Sequence, residues 1–96
     1  MTILHMVWLK APKGVSDANM EDLLEDIRCM KSIPSVINIV AGKNLKNTDH
    51  GYEYGVLMTY ADKVAQQLYI KHPLHEKVRD QIKAMGVGMM GLDFEH

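Results

Sequence analysis

A two-layer α+β fold, one antiparallel sheet with helices packed on one face, is predicted by three features of the 96-residue chain. Four short segments have strand character: Ile3–Leu9, Ser35–Ala41, Tyr52–Tyr60 and Val87–Phe94. Between them, apolar residues recur at helical spacing. The elements follow one another as β-α-β-β-α-α-β, an order that places the helices together on one side of a four-stranded sheet.

Ile3 to Leu9 is apolar at nearly every position, with Ile3, His5, Val7 and Leu9 on one face and Leu4, Met6 and Trp8 on the other, so the strand needs cover on both sides. Ala11-Pro12-Lys13-Gly14 breaks the run. Ser16 is placed to cap a helix whose inward stripe is Met20, Leu23, Leu24, Ile27 and Met30. Glu21, Asp22, Glu25 and Asp26 lie opposite, as a solvated face, and Cys29 falls on the exposed side as an incidental thiol. After Ile33-Pro34, the β-branched residues of Ser35–Ala41 form a second strand ending near Gly42. The polar stretch from Lys43 to Gly51 reads as a loop. A third strand then sets Tyr52, Tyr54, Val56, Met58 and Tyr60 on one face, antiparallel to the second.

Ala61–Ile70 is a short helix with Val64, Ala65 and Leu68 as its apolar positions, and Pro73 stops it. Proline is also favoured at the first position of a helix. A new one therefore starts there with His72 near the cap, carries the stripe His75, Val78, Ile82 and Met85, and ends at Gly86 and Gly88. Together these elements make one domain over residues 1–96, of ferredoxin-like split topology. Helices cover one sheet face only. The other would expose more contiguous apolar surface than a soluble monomer usually leaves in water, which predicts a homodimer closing two sheets into a barrel-like core.

Composition narrows the function classes. A net charge of −1 offers no field for a polyphosphate, so nucleic acid is not an expected partner. The N-terminal apolar run is too short for a signal or a membrane span, and with a single cysteine the chain suits a reducing compartment, so a cytoplasmic location without membrane contact is expected. Eight methionines supply adaptable core filler or a pliable ligand surface. The chain carries no phosphate loop, dinucleotide fingerprint, paired-cysteine spacing or serine elbow. His72-x-x-His75 lacks further ligands nearby, so no metal site and no cofactor are expected.

Proton-active side chains concentrate between Leu68 and Val78. His75 sits one step inside a helix N-terminus, where the helix dipole and partial burial both disfavour imidazolium. A neutral imidazole beside an apolar space is suited to act as a general base; the alternative is a histidine that caps or hydrogen-bonds in the core. Tyr69 ends the preceding helix, from which its hydroxyl can reach the same space and donate to a developing oxyanion, or else serve as an amphipathic core-edge residue. His5 lies on an apolar strand face and needs a partner, for which Tyr69, His75 or a ligand are the choices. His5, Val7, Tyr54, Val78 and His72 are expected to bound the ligand space, His72 also serving the turn as a cap.

The His5 strand, Gly14-Val15-Ser16, Ile33-Pro34, Gly42, Gly51-Tyr52, Tyr69-x-x-His72-Pro73-x-His75 and Asp93-Phe94-Glu95 together resemble the stress-responsive dimeric A/B barrel (Dabb) domain. The resemblance spans nearly the whole chain. It implies a ferredoxin-like fold that dimerises through its sheets into an α+β barrel. Many such proteins are small stress-associated proteins, and a few plant members are cofactor-free enzymes, among them a polyketide cyclase and a hydroxynitrile lyase. In the cyclase-like members a His-Tyr pair carries out intramolecular aldol chemistry; its positions fall on His75 and Tyr69, with His5 matching a further pocket histidine. After Gly51-Tyr52-Glu53 the family commonly has histidine where this chain has Tyr54. The expectation is therefore a homodimer that binds a small, largely apolar, oxygenated molecule, with cofactor-independent lyase or cyclase chemistry at His75 and Tyr69. A non-catalytic stress-associated or ligand-binding module is the alternative. A fold-related monooxygenase, a haem binder as Trp8 and the pocket histidines suggest, is a second.

Overall fold

The computed structural model describes residues 1–46 and 50–96. Its elements are β1 (Ile3–Lys10), α1 (Asp17–Cys29), β2 (Val36–Lys43), β3 (Tyr54–Tyr60), α2 (Lys63–Ile70), α3 (Pro73–Met85) and β4 (Gly88–Glu95), with a 3-10 turn over Met30–Ser32. The four strands form a single sheet in the order β2-β3-β1-β4, every neighbouring pair antiparallel. This is the ferredoxin-like arrangement, with the first and last strands side by side. Residues 47–49 of the expected Lys43–Gly51 loop lie outside the described residues, and the strand expected to end near Gly42 continues to Lys43.

Local chemistry sets the helix ends. Ser16 accepts a hydrogen bond from the Asn19 amide at 3.1 Å, and Asp62 accepts one from Ala65 at 2.8 Å, which is why α2 starts at Lys63 rather than Ala61. The His72 ring accepts from the Leu74 amide at 3.1 Å while Pro73 takes the first helical position, where its missing N–H costs nothing. Gly86 closes α3 in the left-handed region, at φ 74°, and the Val87 amide reaches back to the Ile82 carbonyl at 3.2 Å. This C-terminal motif buries Val87, so β4 begins one residue later than the apolar run suggests.

The strand faces follow the two-residue period. Ile3, His5, Val7 and Leu9 pair across to Tyr60, Met58, Val56 and Tyr54, beneath the helices. In β2 a bulge between Val36 and Asn38 absorbs Ile37, so that Val36 and Ile39 are both buried although three residues apart. Along α1, Met20, Leu23, Leu24 and Ile27 are buried, as their spacing requires, while Cys29 is exposed.

Helix α2 is rotated from its expected orientation. Val64 and Leu68 are exposed, whereas Tyr69 is buried with Ala65 packed against the core. Burying a tyrosine ring removes more apolar surface from water than burying either aliphatic residue, and the helix turns to place it inward. On the outer sheet face Leu4, Met6 and Trp8 lie opposite Phe94, Leu92 and Met90, with Leu57 and Val40 on the strands beyond. Trp8, Val40, Leu57, Met90, Leu92 and Phe94 are all exposed there. Among the described residues no helix is long and apolar enough to cross a membrane.

Candidate functional site

A cavity of about 250 Å³ opens between the inner sheet face and the helices. Its sheet side consists of His5, Val7 and Leu9 of β1, Val56 and Met58 of β3, and Met89 and Gly91 of β4. Ile27 and Met30, Tyr69 of α2, and His75, Val78, Arg79 and Ile82 of α3 complete it. Two features leave room here. His75 and Arg79 put polar groups on the cavity side of α3, and β4 contributes a glycine opposite Val7.

His75 occupies the first turn of α3, held inward by the cap at His72 and Pro73. Its Nδ1 lies 3.0 Å from the carbonyl oxygen of Ile70, the last residue of α2. A carbonyl only accepts, so Nδ1 carries the proton and Nε2 presents a lone pair. Burial lowers the pKa of the ring, the Ile70 carbonyl opposes that shift, and the nearby Arg79 charge adds to it. The result is a neutral base near pH 7.

Tyr69 packs its ring against His75, with centroids 4.5 Å apart, and against Tyr60 at 5.2 Å. Its hydroxyl has only a weak acceptor, the Met30 sulfur at 3.9 Å. Burial pushes its pKa up to about 12, so the phenol keeps its proton and remains a donor. Tyr60 is raised further by the same cause, and its ring lies 6.2 Å from that of His5. His75, Tyr69, Tyr60 and His5 thus run as a line of rings.

His5 finds a partner that differs from those expected. Antiparallel pairing sets it directly opposite Asp93, and its Nδ1 bonds to the Asp93 carboxylate. The second oxygen of that carboxylate accepts from Gln66 Nε2 at 3.0 Å, tying α2 to β4. With Nδ1 engaged, Nε2 is the free nitrogen of His5.

Of the residues singled out in the sequence, His75, Tyr69, His5, Val7 and Val78 line one cavity. His72 does not; its ring is turned to the Leu74 amide as a cap. Nor does Tyr54, which is buried at the far end of β3 and donates to Asp17 Oδ1 at 2.8 Å. That bond anchors the start of α1, and burial pushes the Tyr54 pKa up to about 12. Trp8 faces away on the outer sheet surface, its ring edge-on to Tyr52 at 6.3 Å, so it shares no space with the pocket histidines. Asp93, Gln66, Arg79 and Gly91 were not anticipated. Asp93 could have been found from strand register and Arg79 from its position one turn after His75.

Among the described residues no three His, Cys, Asp or Glu side chains converge in a way that could hold a metal ion.

The geometry defines a class: a ferredoxin-like sheet with a proton-active, mostly apolar pocket under its helices. Within that class the chain belongs to the Stress responsive A/B Barrel Domain family, whose model matches residues 3–96. It is 25% identical over 97 residues to the olivetolic acid cyclase of Cannabis sativa, covering 98% of this chain and 96% of that protein. Among solved structures it resembles a protein of Arabidopsis thaliana with a TM-score of 0.87 at 21% identity, covering 98% of this chain and 94% of that one. It also resembles a dimeric ferredoxin-like protein of unknown function from Thermobifida fusca, with a TM-score of 0.86 at 20% identity over 100% and 92% of the two chains. Likenesses at these identities show the fold.

Proposed function

We propose that the protein is a homodimer in which each subunit's cavity binds a small, largely apolar, oxygenated molecule, and that His75 and Tyr69 perform cofactor-free acid–base chemistry of the cyclase or lyase type on it. One observation supports this reading: the Ile70 carbonyl accepts the Nδ1–H of His75 and so leaves Nε2 as the basic nitrogen of a residue lining an apolar cavity, with the Tyr69 ring in contact at 4.5 Å between centroids. The similarity to a cyclase supports the same chemistry.

In the forward direction, His75 Nε2 takes a proton from a carbon next to a carbonyl. The C–H electron pair moves into the enolate, whose oxygen accepts a hydrogen bond from the Tyr69 hydroxyl. The enolate carbon attacks a second carbonyl of the same molecule, forming a C–C bond and an alkoxide. The imidazolium then returns its proton to that alkoxide. Lyase chemistry is the reverse sequence. Asp93 holds the His5 ring through Nδ1, which leaves Nε2 to donate to or accept from a substrate oxygen.

The test is deuterium exchange at the carbons flanking the carbonyl of 2-heptanone in D2O, followed by NMR. The wild-type protein is expected to accelerate it, and His75→Ala and Tyr69→Phe each to remove about 10²–10⁴-fold of that acceleration. Acceleration that is unchanged in both variants removes the catalytic role.

A second reading, a ligand-binding module without turnover, is favoured by the His75 hydrogen bond itself, because it ties the end of α2 to the first turn of α3. On that reading His75→Ala lowers the melting temperature and wild-type protein leaves 2-heptanone exchange at its buffer rate.

The homodimer rests on the outer sheet face, where Trp8, Leu57, Met90, Leu92 and Phe94 form one exposed apolar surface, and on the dimeric state of the Thermobifida neighbour. Two such sheets closing face to face make a barrel core. Light scattering coupled to size exclusion should give twice the chain mass at low micromolar concentration; a stable monomer there overturns the assembly. The exposed Cys29, the one cysteine of the chain, suits a reducing cytoplasm.

A further inference from the structure

Arg79 combines two features that a surface arginine on a helix does not need. It contributes to the wall of the apolar cavity, and its Nε is buried with no hydrogen-bond partner among the described residues. Buried donors are nearly always paired, and an arginine cannot relieve the cost by losing its proton. The nearest carboxylate does not satisfy the group. Asp80 Oδ1 stands 3.7 Å from Nη2, an ion pair longer than a hydrogen bond, and leaves Nε unsatisfied. The arginine side chain is part-exposed, so its outer nitrogens meet solvent.

The outer nitrogens of a part-exposed guanidinium keep N–H donors that suit the oxygens of a carboxylate. Among the described residues lining the cavity, Arg79 is the one with a permanent charge; the others are apolar or carry a neutral hydroxyl or an imidazole. It follows His75 by four positions on α3, so the two side chains are neighbours one helical turn apart. Its influence on the His75 ring reflects the same proximity. At about 250 Å³ the cavity is smaller than the roughly 300–1,000 Å³ typical of ligand sites, so it holds an apolar portion and leaves a polar head at its wall.

We infer that Arg79 is a specificity residue that selects carboxylate-bearing ligands, holding the carboxylate through its outer guanidinium nitrogens while the apolar part of the molecule enters the cavity beside His75. This rests on the pocket reading above and deepens it: the ligand class becomes an apolar chain or ring with a carboxylate about one helical turn from the base.

The probes are sodium octanoate and 1-octanol, titrated into the wild-type protein at pH 8, where His75 is neutral, with amide shifts read by NMR. Octanoate should bind about tenfold or more tightly than 1-octanol, the scale of a hydrogen bond to a charged group. Arg79→Gln should erase that preference and keep the affinity for 1-octanol, and Arg79→Lys should retain part of it. Equal binding of the two probes to wild-type protein, or a preference that survives in Arg79→Gln, overturns the inference and leaves the apolar pocket standing. Binding of neither probe overturns the pocket reading and the role of Arg79 together.

Discussion

The two halves of the inner sheet face are built differently. Over β2 and the start of β3, Met20, Leu23 and Leu24 of α1 join Ile39 and Tyr54 in the buried core, and none of them lines the cavity. Over β1 and β4, α3 buries only Val78 and Ile82, and every residue of β4 is exposed. The first half is solid and the second is hollow. The difference arises from residue choice: α1 devotes its whole inward stripe to aliphatic side chains, whereas α3 spends two positions of its stripe on His75 and Arg79. The proton-active groups therefore sit where close packing stops, which is where a ligand can replace missing contacts.

The sharpest way to break this contrast is to cut the same kind of atoms from each half. Leu24→Ala in the solid half should cost about 2–5 kcal/mol in urea unfolding, the range for a leucine whose cavity cannot collapse. Val78→Ala should cost much less, because it enlarges a space that already exists. Equal losses would mean that the two halves are packed alike.

Filling the hollow half comes next. A Cβ at Gly91 meets only the Met6 carbonyl, at 3.6 Å, so a side chain can be carried there without strain. Gly91→Leu should weaken 1-octanol binding about tenfold, equivalent to about 1.4 kcal/mol, with stability unchanged or raised. Undiminished binding would place the ligand elsewhere.

The smallest effect is on pH dependence. The folded pKa of His75 lies below its unfolded value of about 6.5, so its contribution to stability is complete above that pH and is lost as the pH falls through the lowered folded value. Protonation there also removes the base. Tyr69 behaves in the opposite sense: its contribution is complete below its unfolded pKa of about 10 and is lost as the pH rises to about 12. His75→Gln should flatten the acid side of a stability profile measured by thermal melting, and leave the alkaline side as it was. A wild-type profile with no acid-side loss beyond that of the variant would contradict the buried, neutral state of His75.

Much of this molecule was legible before its structure. The strand patterns in Ile3–Leu9 and Tyr52–Tyr60, helical spacing in α1, and the cap signals at Ser16, Pro73 and Gly86 are all properties of neighbouring residues, and each reappears in the fold, the third strand from Tyr54 onward. The junction between α2 and α3 placed Tyr69 and His75 at one cavity for the same reason. Other features depended on what the rest of the chain offered. Tyr54 was expected at the ligand space because it stands where the family commonly has histidine, and a shared position does not fix the partner of a different side chain; the start of α1 engages it through Asp17. The short α2 carried two competing apolar stripes, and the aromatic one prevailed once a core existed to receive it.

The sequence by itself determined the order of helices and strands, the inward stripe of α1, and that one sheet face would be left apolar, because these follow from backbone periodicity and local capping. Only the tertiary structure decided which groups meet. His5 and Asp93 are 88 positions apart and touch because β1 and β4 pair in one register. The unpartnered Arg79 Nε, the Ile70 carbonyl that sets the tautomer of His75, and the cavity they share depend on packing distances between elements, which local pattern does not encode.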